Sequence, residues 1–256
     1  MTMLLGTVFI LGLAVSFLSG LLGIGGGIVM APALLFVPAW LGVGTFDMQS
    51  VTGLTITQGL FASLSGVLRH GKYHFVDRSL VLAMGPTMAV SSLVGAVASK
   101  YVAEEWLRGL FALMAVVAAA LMFLPSPQEE ATMAEDVSFS RPLAAAVALI
   151  LGFLVGLIGQ GGSFILIPLM IHGLHVPIRI ALGSNLGIVF WAALAGFVGK
   201  VATRQVPPLA TLALILGALS GAQLGGIVSR QVNARWLRWL LAVIILGAAL
   251  KMVVAL

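Results

Sequence analysis

The sequence predicts an all-α integral membrane protein built from two homologous repeats, and three observations predict it. Of the 256 residues, 61% are hydrophobic and only 8% are charged, whereas a soluble domain is about one-quarter charged. The mean hydropathy is +1.16. A glycine cluster inside an apolar segment, GLLGIGGGIVMAP at 20–32, returns as GLIGQGGSFILIP at 156–168 with its glycines and its proline at matching positions.

The chain forms a single membrane domain, 1–256. Spans of about 20 residues allow about eight to ten crossings and leave no room for a separate soluble domain. Half of the acidic residues lie in the linker 125–141, so repeat one is 1–124 and repeat two is 142–256. A second match between the repeats places Trp106 and Trp236 beside Arg108 and Arg238 at a constant offset.

The segments of the first repeat follow from apolar runs bounded by glycine, proline and charged residues. They are 3–22, 28–41, 48–68, 79–99 and 106–124. The run 28–41 carries two prolines and is short for a span. The run 48–68 is rich in small polar residues, and Asp47 precedes it at N-cap distance.

The second repeat follows the same plan. Its segments are 142–158, 164–174, 178–199, 207–228 and 234–256. The basic stretches between them are 200–204 and 230–238. We expect their charged side chains to be solvated or to snorkel to the interface, so no charged group is predicted in the middle of the membrane.

The topology depends on the short run after each glycine loop. If it turns back, each repeat has four segments and the repeats are parallel. If it crosses together with the loop, each repeat has five segments and the repeats are inverted. The five-segment interpretation collects more Lys and Arg on one side, so the positive-inside rule favours it, with that side cytoplasmic.

The glycine loops have two interpretations. Small residues allow close helix packing in membranes. Alternatively, paired helix breaks near the bilayer midplane expose main-chain N–H groups that bind an anion. The residues predicted to contact substrate are Gly25, Gly26, Gly27, Thr52, Thr55, Gln160, Gly161, Gly162, Ser163, Ser184 and Asn185. Thr52, Thr55 and Gln58 share one helix face. Hydroxyls in spans more often bond the carbonyl of the preceding turn, which is the alternative for both threonines.

The paired glycine loops, the segments 49–54 and 181–186, the small size and the acidic linker resemble the TauE/SafE sulfite exporter family, also called the toluene-sulfonate uptake permease (TSUP) family. The residues that match the two motifs are Gly23, Gly25, Gly26, Gly27 and Pro32, then Gly159, Gly161, Gly162 and Pro168. Thr52 and Ser184 match the hydroxyl residue of the following helix, whereas Gly53, Gln160 and Asn185 depart from the usual pattern. The resemblance implies a multi-pass transporter of sulfite or organosulfonates such as sulfoacetate in a bacterial inner membrane.

The predicted function is therefore a secondary transporter that works by alternating access, with an anion channel or a non-transporting scaffold as alternatives. An enzyme is not predicted, because H-E-x-x-H, G-x-S-x-G and paired carboxylates within a span are absent. We expect no cofactor and no metal. The expected partners are a small sulfur-containing anion and membrane lipid, not nucleic acid. A coupling ion, proton or sodium, and the oligomeric state stay open.

Overall fold

All regular structure in the described residues is helical. The computed structural model describes residues 2–22, 27–70, 76–123, 139–159 and 165–229, together with single helical residues between 236 and 250. The helices are α1 (Thr2–Leu22), α2 (Gly27–Trp40), α3 (Met48–His70), α4 (Arg78–Ala98), α5 (Glu104–Phe123), α6 (Arg141–Ile158), α7 (Leu166–His172), α8 (Ile178–Ala202) and α9 (Pro208–Ser229), with a 3₁₀ turn at Ser99–Tyr101. The all-α membrane fold expected from the sequence is confirmed.

The helix ends have local causes. Asp47 accepts a hydrogen bond from the Ser50 amide at 2.6 Å, which confirms the predicted N-cap of α3. Asp77 caps α4 in the same way, through the Leu80 amide at 2.9 Å. Helix α6 ends at Gly159, whose φ of +77° is a backbone conformation that favours glycine.

Five described helices are long and apolar enough to cross a membrane. They are the segments at 2–21, 78–101, 141–158, 178–202 and 208–228. Apolar side chains on α4 and α9, among them Leu82, Val90 and Leu216, are exposed, as lipid contact requires. Trp106 and Trp236 are also exposed. The chain is therefore a multi-pass membrane protein.

Helices α3 and α8 form the centre of the fold. Every residue at 51–60 of α3 and at 180–189 of α8 is buried. Helix α3 packs against α8 and α9, while α8 packs against α3 and α4. The small polar residues in this part of α3 are thus enclosed, because α3 has protein on all sides along these ten residues.

The outer helices pack across the two halves of the chain. Helix α1 runs along α9, and α6 runs along α4. A Cβ added at Gly217, Gly221 or Gly225 of α9 would collide with the backbone of α1. A Cβ at Gly152 or Gly156 would likewise collide with the backbone of α4. Close approach of backbones thus explains most of these glycines, as small residues do in membrane helix packing.

Candidate functional site

Two buried hydroxyls on α3 begin the site. Thr52 and Thr55 are both fully buried. Thr52 Oγ1 donates to the Gln49 carbonyl at 2.8 Å, and Thr55 Oγ1 donates to the Thr52 carbonyl at 3.0 Å. Both hydroxyl protons are therefore used on their own helix, the alternative noted from the sequence. Their oxygens can still accept a hydrogen bond.

The second glycine loop begins against these threonines. At Gly159, where α6 ends, a Cβ would collide with Thr55 Oγ1 and would lie 2.5 Å from the Thr52 carbonyl oxygen. Glycine is required here both by its positive φ and by this contact. The break in one half of the chain therefore touches the polar face of α3 from the other half.

Further along α3, a third polar side chain reaches α1. Gln58 Nε2 donates to Ser16 Oγ at 2.8 Å. Gln58 Oε1 and Ser19 Oγ are buried and have no hydrogen-bond partner within the part of the chain that the structure describes. Since α1 ends at Leu22, directly before the first glycine loop, the face of α3 connects the start of the second loop with the helix that leads into the first.

Ser184 and Asn185 of α8 are both fully buried. Ser184 Oγ accepts a hydrogen bond from the main-chain N–H of Asp77 at 2.9 Å. This contact fastens α8 to the start of α4. Ser184 and Thr52 therefore have different partners, although the sequence places them at matching positions.

The first glycine of each motif is a packing residue. A Cβ at Gly20 would collide with the backbone of α9 at Ala222, and one at Gly156 would collide with Ser92 of α4. Gly27 is the buried first residue of α2. The other predicted substrate contacts lie outside the described residues; they are Gly25, Gly26, Gln160, Gly161, Gly162 and Ser163.

The sequence missed a charged residue at this place. Lys200 was expected in a solvated basic loop, and this is wrong: it lies in the last turn of α8 and is fully buried. Its ammonium group donates to Ser99 Oγ at 2.6 Å, to Thr52 Oγ1 at 2.7 Å and to Gln205 Oε1 at 3.0 Å. A longer contact of 3.3 Å joins it to the Leu157 carbonyl in α6.

The segment after α8 covers this lysine. Gln205 folds back so that its Nε2 donates to the Thr203 hydroxyl at 2.7 Å and to the Ala96 carbonyl at 3.3 Å. The Gln205 carbonyl packs directly on Gly53, where a Cβ would collide with it. A signal for the buried lysine was the closely spaced pair Gly196 and Gly199, because both face neighbouring helices tightly just before it.

Among the other charged side chains that the structure describes, Asp77 is buried at the start of α4 and the rest are at least partly exposed. Arg108 pairs with Glu104 one turn earlier on α5, and both side chains are about a third exposed. Glu104 also accepts a hydrogen bond from the Met48 amide at 3.0 Å. The described residues contain no group of three or more His, Asp or Glu that could hold a metal ion.

Comparison with known proteins agrees with the architecture. The sequence model of the family described as "Sulfite exporter TauE/SafE" matches residues 8–252. The chain is 27% identical to the "Probable membrane transporter protein YunE" of Bacillus subtilis, over 93% of each chain. It is 22% identical to the "Probable membrane transporter protein MJ0441" of Methanocaldococcus jannaschii, over 95% of this chain and 93% of that one. No solved structure matches the chain significantly.

Proposed function

Because the chain belongs to the sulfite exporter TauE/SafE family, we propose that this membrane transporter moves small sulfur-containing anions, sulfite or organosulfonates such as sulfoacetate, across a bacterial inner membrane by alternating access. The observation that carries the proposal is the contact of Gly159 with Thr52 and Thr55. It joins a helix break in one half to a buried polar face in the other. Secondary transporters bind their substrates at such breaks between repeats. The family and the relatives are transporters, so the chain is not an enzyme.

In the proposed site the anion is held by main-chain amides of the two glycine loops and by neighbouring polar side chains. The loop residues are Gly25, Gly26, Gly27, Gln160, Gly161, Gly162 and Ser163, and the helix residues are Thr52, Thr55, Ser184 and Asn185. Main-chain amides are neutral donors that hydrogen-bond an oxyanion. The Thr52 and Thr55 hydroxyls donate to carbonyls of their own helix, so they must turn away from these carbonyls to donate to the anion.

We place the two halves of the transporter in an inverted repeat of five segments each, 1–124 and 142–256, joined by the linker 125–141. In this arrangement α1 corresponds to α6, and α9 corresponds to α4. The α1–α9 and α4–α6 contacts are then one contact made twice, and glycines bring the backbones together in both. Each pair moves as a rigid unit, because such closely packed helices leave no space for sliding.

Single cysteines test the inverted arrangement, since the chain has no native cysteine. Thr2 and Ser140 are both exposed, and a five-segment half puts them on opposite faces of the membrane. We expect a membrane-impermeant maleimide to label only one of Thr2→Cys and Ser140→Cys in intact cells, and both after permeabilisation. Labelling of both from one face would show four crossings per half and parallel repeats.

Flux into proteoliposomes tests the transport proposal. Wild-type protein should give saturable sulfite uptake. Gly159→Ala should lower the rate at least ~10-fold, because the added methyl group collides with Thr55 and the positive φ disfavours alanine. Gly109→Ala is the matched control, since a Cβ there meets nothing within 4 Å. Its flux should equal that of the wild type.

Three results would contradict the proposal in different ways. Uptake that rises linearly with sulfite concentration would indicate a channel. Saturable uptake of other anions without sulfite, thiosulfate or sulfoacetate uptake would reject the substrate class. No uptake of any of these anions by folded protein, with a proton or a sodium gradient imposed, would indicate a non-transporting scaffold.

A further inference from the structure

We propose that Lys200 supplies a positive charge to the anion site, beside Gly159 at the end of α6. The proposal rests on the anion-transport function proposed above and adds a residue outside the predicted set. Three observations carry it: the burial of a charge without a counter-ion, its position at the loop, and the arrangement of its hydrogen bonds.

The first observation is an ammonium group surrounded by neutral oxygens. Lys200 is fully buried, and its acceptors are two hydroxyls, one side-chain amide and one main-chain carbonyl. Within the described residues, no carboxylate contacts it. Neutral acceptors satisfy the N–H groups but do not neutralise the charge, and an uncompensated charge in a membrane protein is costly. A glutamine could hydrogen-bond the same helices without this cost, so the hydrogen bonds alone do not explain a lysine at this position.

The second observation is the position of the charge. The ammonium contacts Leu157, two residues before the break at Gly159, and Thr52, whose carbonyl lies against the same glycine. The lysine stands on a rigid base, because a Cβ at Gly199 would lie only 2.8 Å from the Ala96 side chain. The charge is therefore held at the entrance to the second glycine loop.

The third observation is that four acceptors share three protons. An ammonium group has three N–H donors, and three of its contacts are 2.6–3.0 Å long. The contact with the Leu157 carbonyl, at 3.3 Å, is the longest. An anion that reaches the end of α6 can replace this longest contact, and it gains a charge-assisted hydrogen bond in return.

Binding to purified full-length protein tests the proposal. The probes are sulfite, thiosulfate and sulfoacetate, with acetate as an anion without sulfur, and Kd is measured by calorimetry. Lys200→Gln should weaken sulfite binding ~10- to 100-fold, the loss expected for a charged hydrogen bond. Lys200→Arg keeps the charge and should retain most of the binding. Lys100→Gln is the matched control, since Lys100 is exposed, and its Kd should stay within about twofold of the wild type.

The possible outcomes distinguish a failure of this proposal from a failure of the proposed transport function. If sulfite binds wild type and Lys200→Gln with Kd values within about twofold, the role of Lys200 is overturned and the transport proposal stands. If only acetate binds, and Lys200→Gln abolishes that binding, Lys200 keeps its role and the substrate class is wrong. If none of the four anions binds wild-type protein, both are overturned.

A second measurement does not depend on the folding of the glutamine variant. The chain has only four lysines, Lys72, Lys100, Lys200 and Lys251, so ¹³Cε-labelled lysine gives few NMR signals, and Lys200→Arg identifies that of Lys200. Sulfite should shift the Lys200 signal in wild-type protein. A Lys200 signal that does not move at saturating sulfite would overturn the proposal.

Discussion

Thr52 in the first half and Ser184 in the second stand at matching places in the sequence, yet their hydroxyl oxygens accept hydrogen bonds from different groups. Thr52 accepts from the buried Lys200 ammonium, and Ser184 accepts from the main-chain N–H of Asp77. One hydroxyl thus meets a full positive charge and the other a peptide dipole. The repeated sequence pattern therefore puts a polar side chain at the same position of each half. The group that packs against this side chain determines its electrostatic environment.

The residues that follow Thr52 and Ser184 also have different surroundings. Gly53 follows Thr52, and the Gln205 carbonyl packs so closely on it that no side chain fits. Asn185 follows Ser184 and is fully buried with its side chain in place. The departure at Gly53 noted from the sequence therefore has a steric cause, and this cause is the same segment that covers Lys200.

Replacing Gly53 by asparagine, the residue at the matching position 185, should have the largest effect on stability. We expect Gly53→Asn to destabilise the protein by about 2–4 kcal/mol, because the new side chain must displace the Gln205 carbonyl and disturb the Lys200 contacts. Reversible unfolding in SDS measures this loss. Gly109→Asn, with open space around its Cβ, should cost less than about 1 kcal/mol. Equal losses for the two variants would show that the close approach at Gly53 has no energetic weight.

Removing the hydroxyl of Thr52 or of Ser184 should lower the stability by a smaller amount, and by different amounts at the two positions. Thr52→Val deletes an acceptor of a charged donor, and we expect a loss of about 1.5–3 kcal/mol. Ser184→Ala leaves a buried main-chain N–H unpaired, and we expect about 1–2 kcal/mol. The same SDS titration compares them. A larger loss for Ser184→Ala would contradict the idea that the lysine makes the first-half contact the stronger one.

Removing the N-cap side chains of α4 and α3 should give the smallest difference in stability between two variants. Asp77 and Asp47 accept the same kind of hydrogen bond at the starts of α4 and α3, but Asp77 is buried and Asp47 is exposed. We expect Asp77→Ala to cost about 1–2 kcal/mol and Asp47→Ala about 0.5–1 kcal/mol. Thermal unfolding in detergent ranks the two variants. If Asp47→Ala is the more damaging, burial does not strengthen the cap.

Much of the fold could be predicted from the sequence because the helices end where the local chemistry stops them. The predicted segments 79–99 and 178–199 differ from α4 and α8 by at most three residues at either end. Which helices pack against each other could not be predicted, because the sequence pattern of α1 does not indicate that α9 is its neighbour. Such pairings depend on backbone fit in three dimensions.

The candidate site could be predicted in part, because some of its residues follow a local sequence pattern. Thr52, Thr55 and Gln58 follow the helical period, so their common face could be deduced before their contacts were known. Lys200 was missed because its burial depends on residues 203–205 folding back over it. A charged residue next to the end of a span has the same sequence pattern whether it is covered by protein or exposed at the interface.

The close pairing of α1 with α9 has a consequence for biosynthesis. Helix α1 leaves the ribosome long before the glycine-lined surface that accepts it, at Gly217, Gly221 and Gly225 of α9, has been made. At translation rates of about 5–20 residues per second, the first helix waits roughly 10–40 s in the bilayer for its partner. During this time the face of α1 that later meets α9, at Phe9, Leu13 and Phe17, lies against lipid, whereas Ser16 finds its partner earlier, in Gln58 of α3.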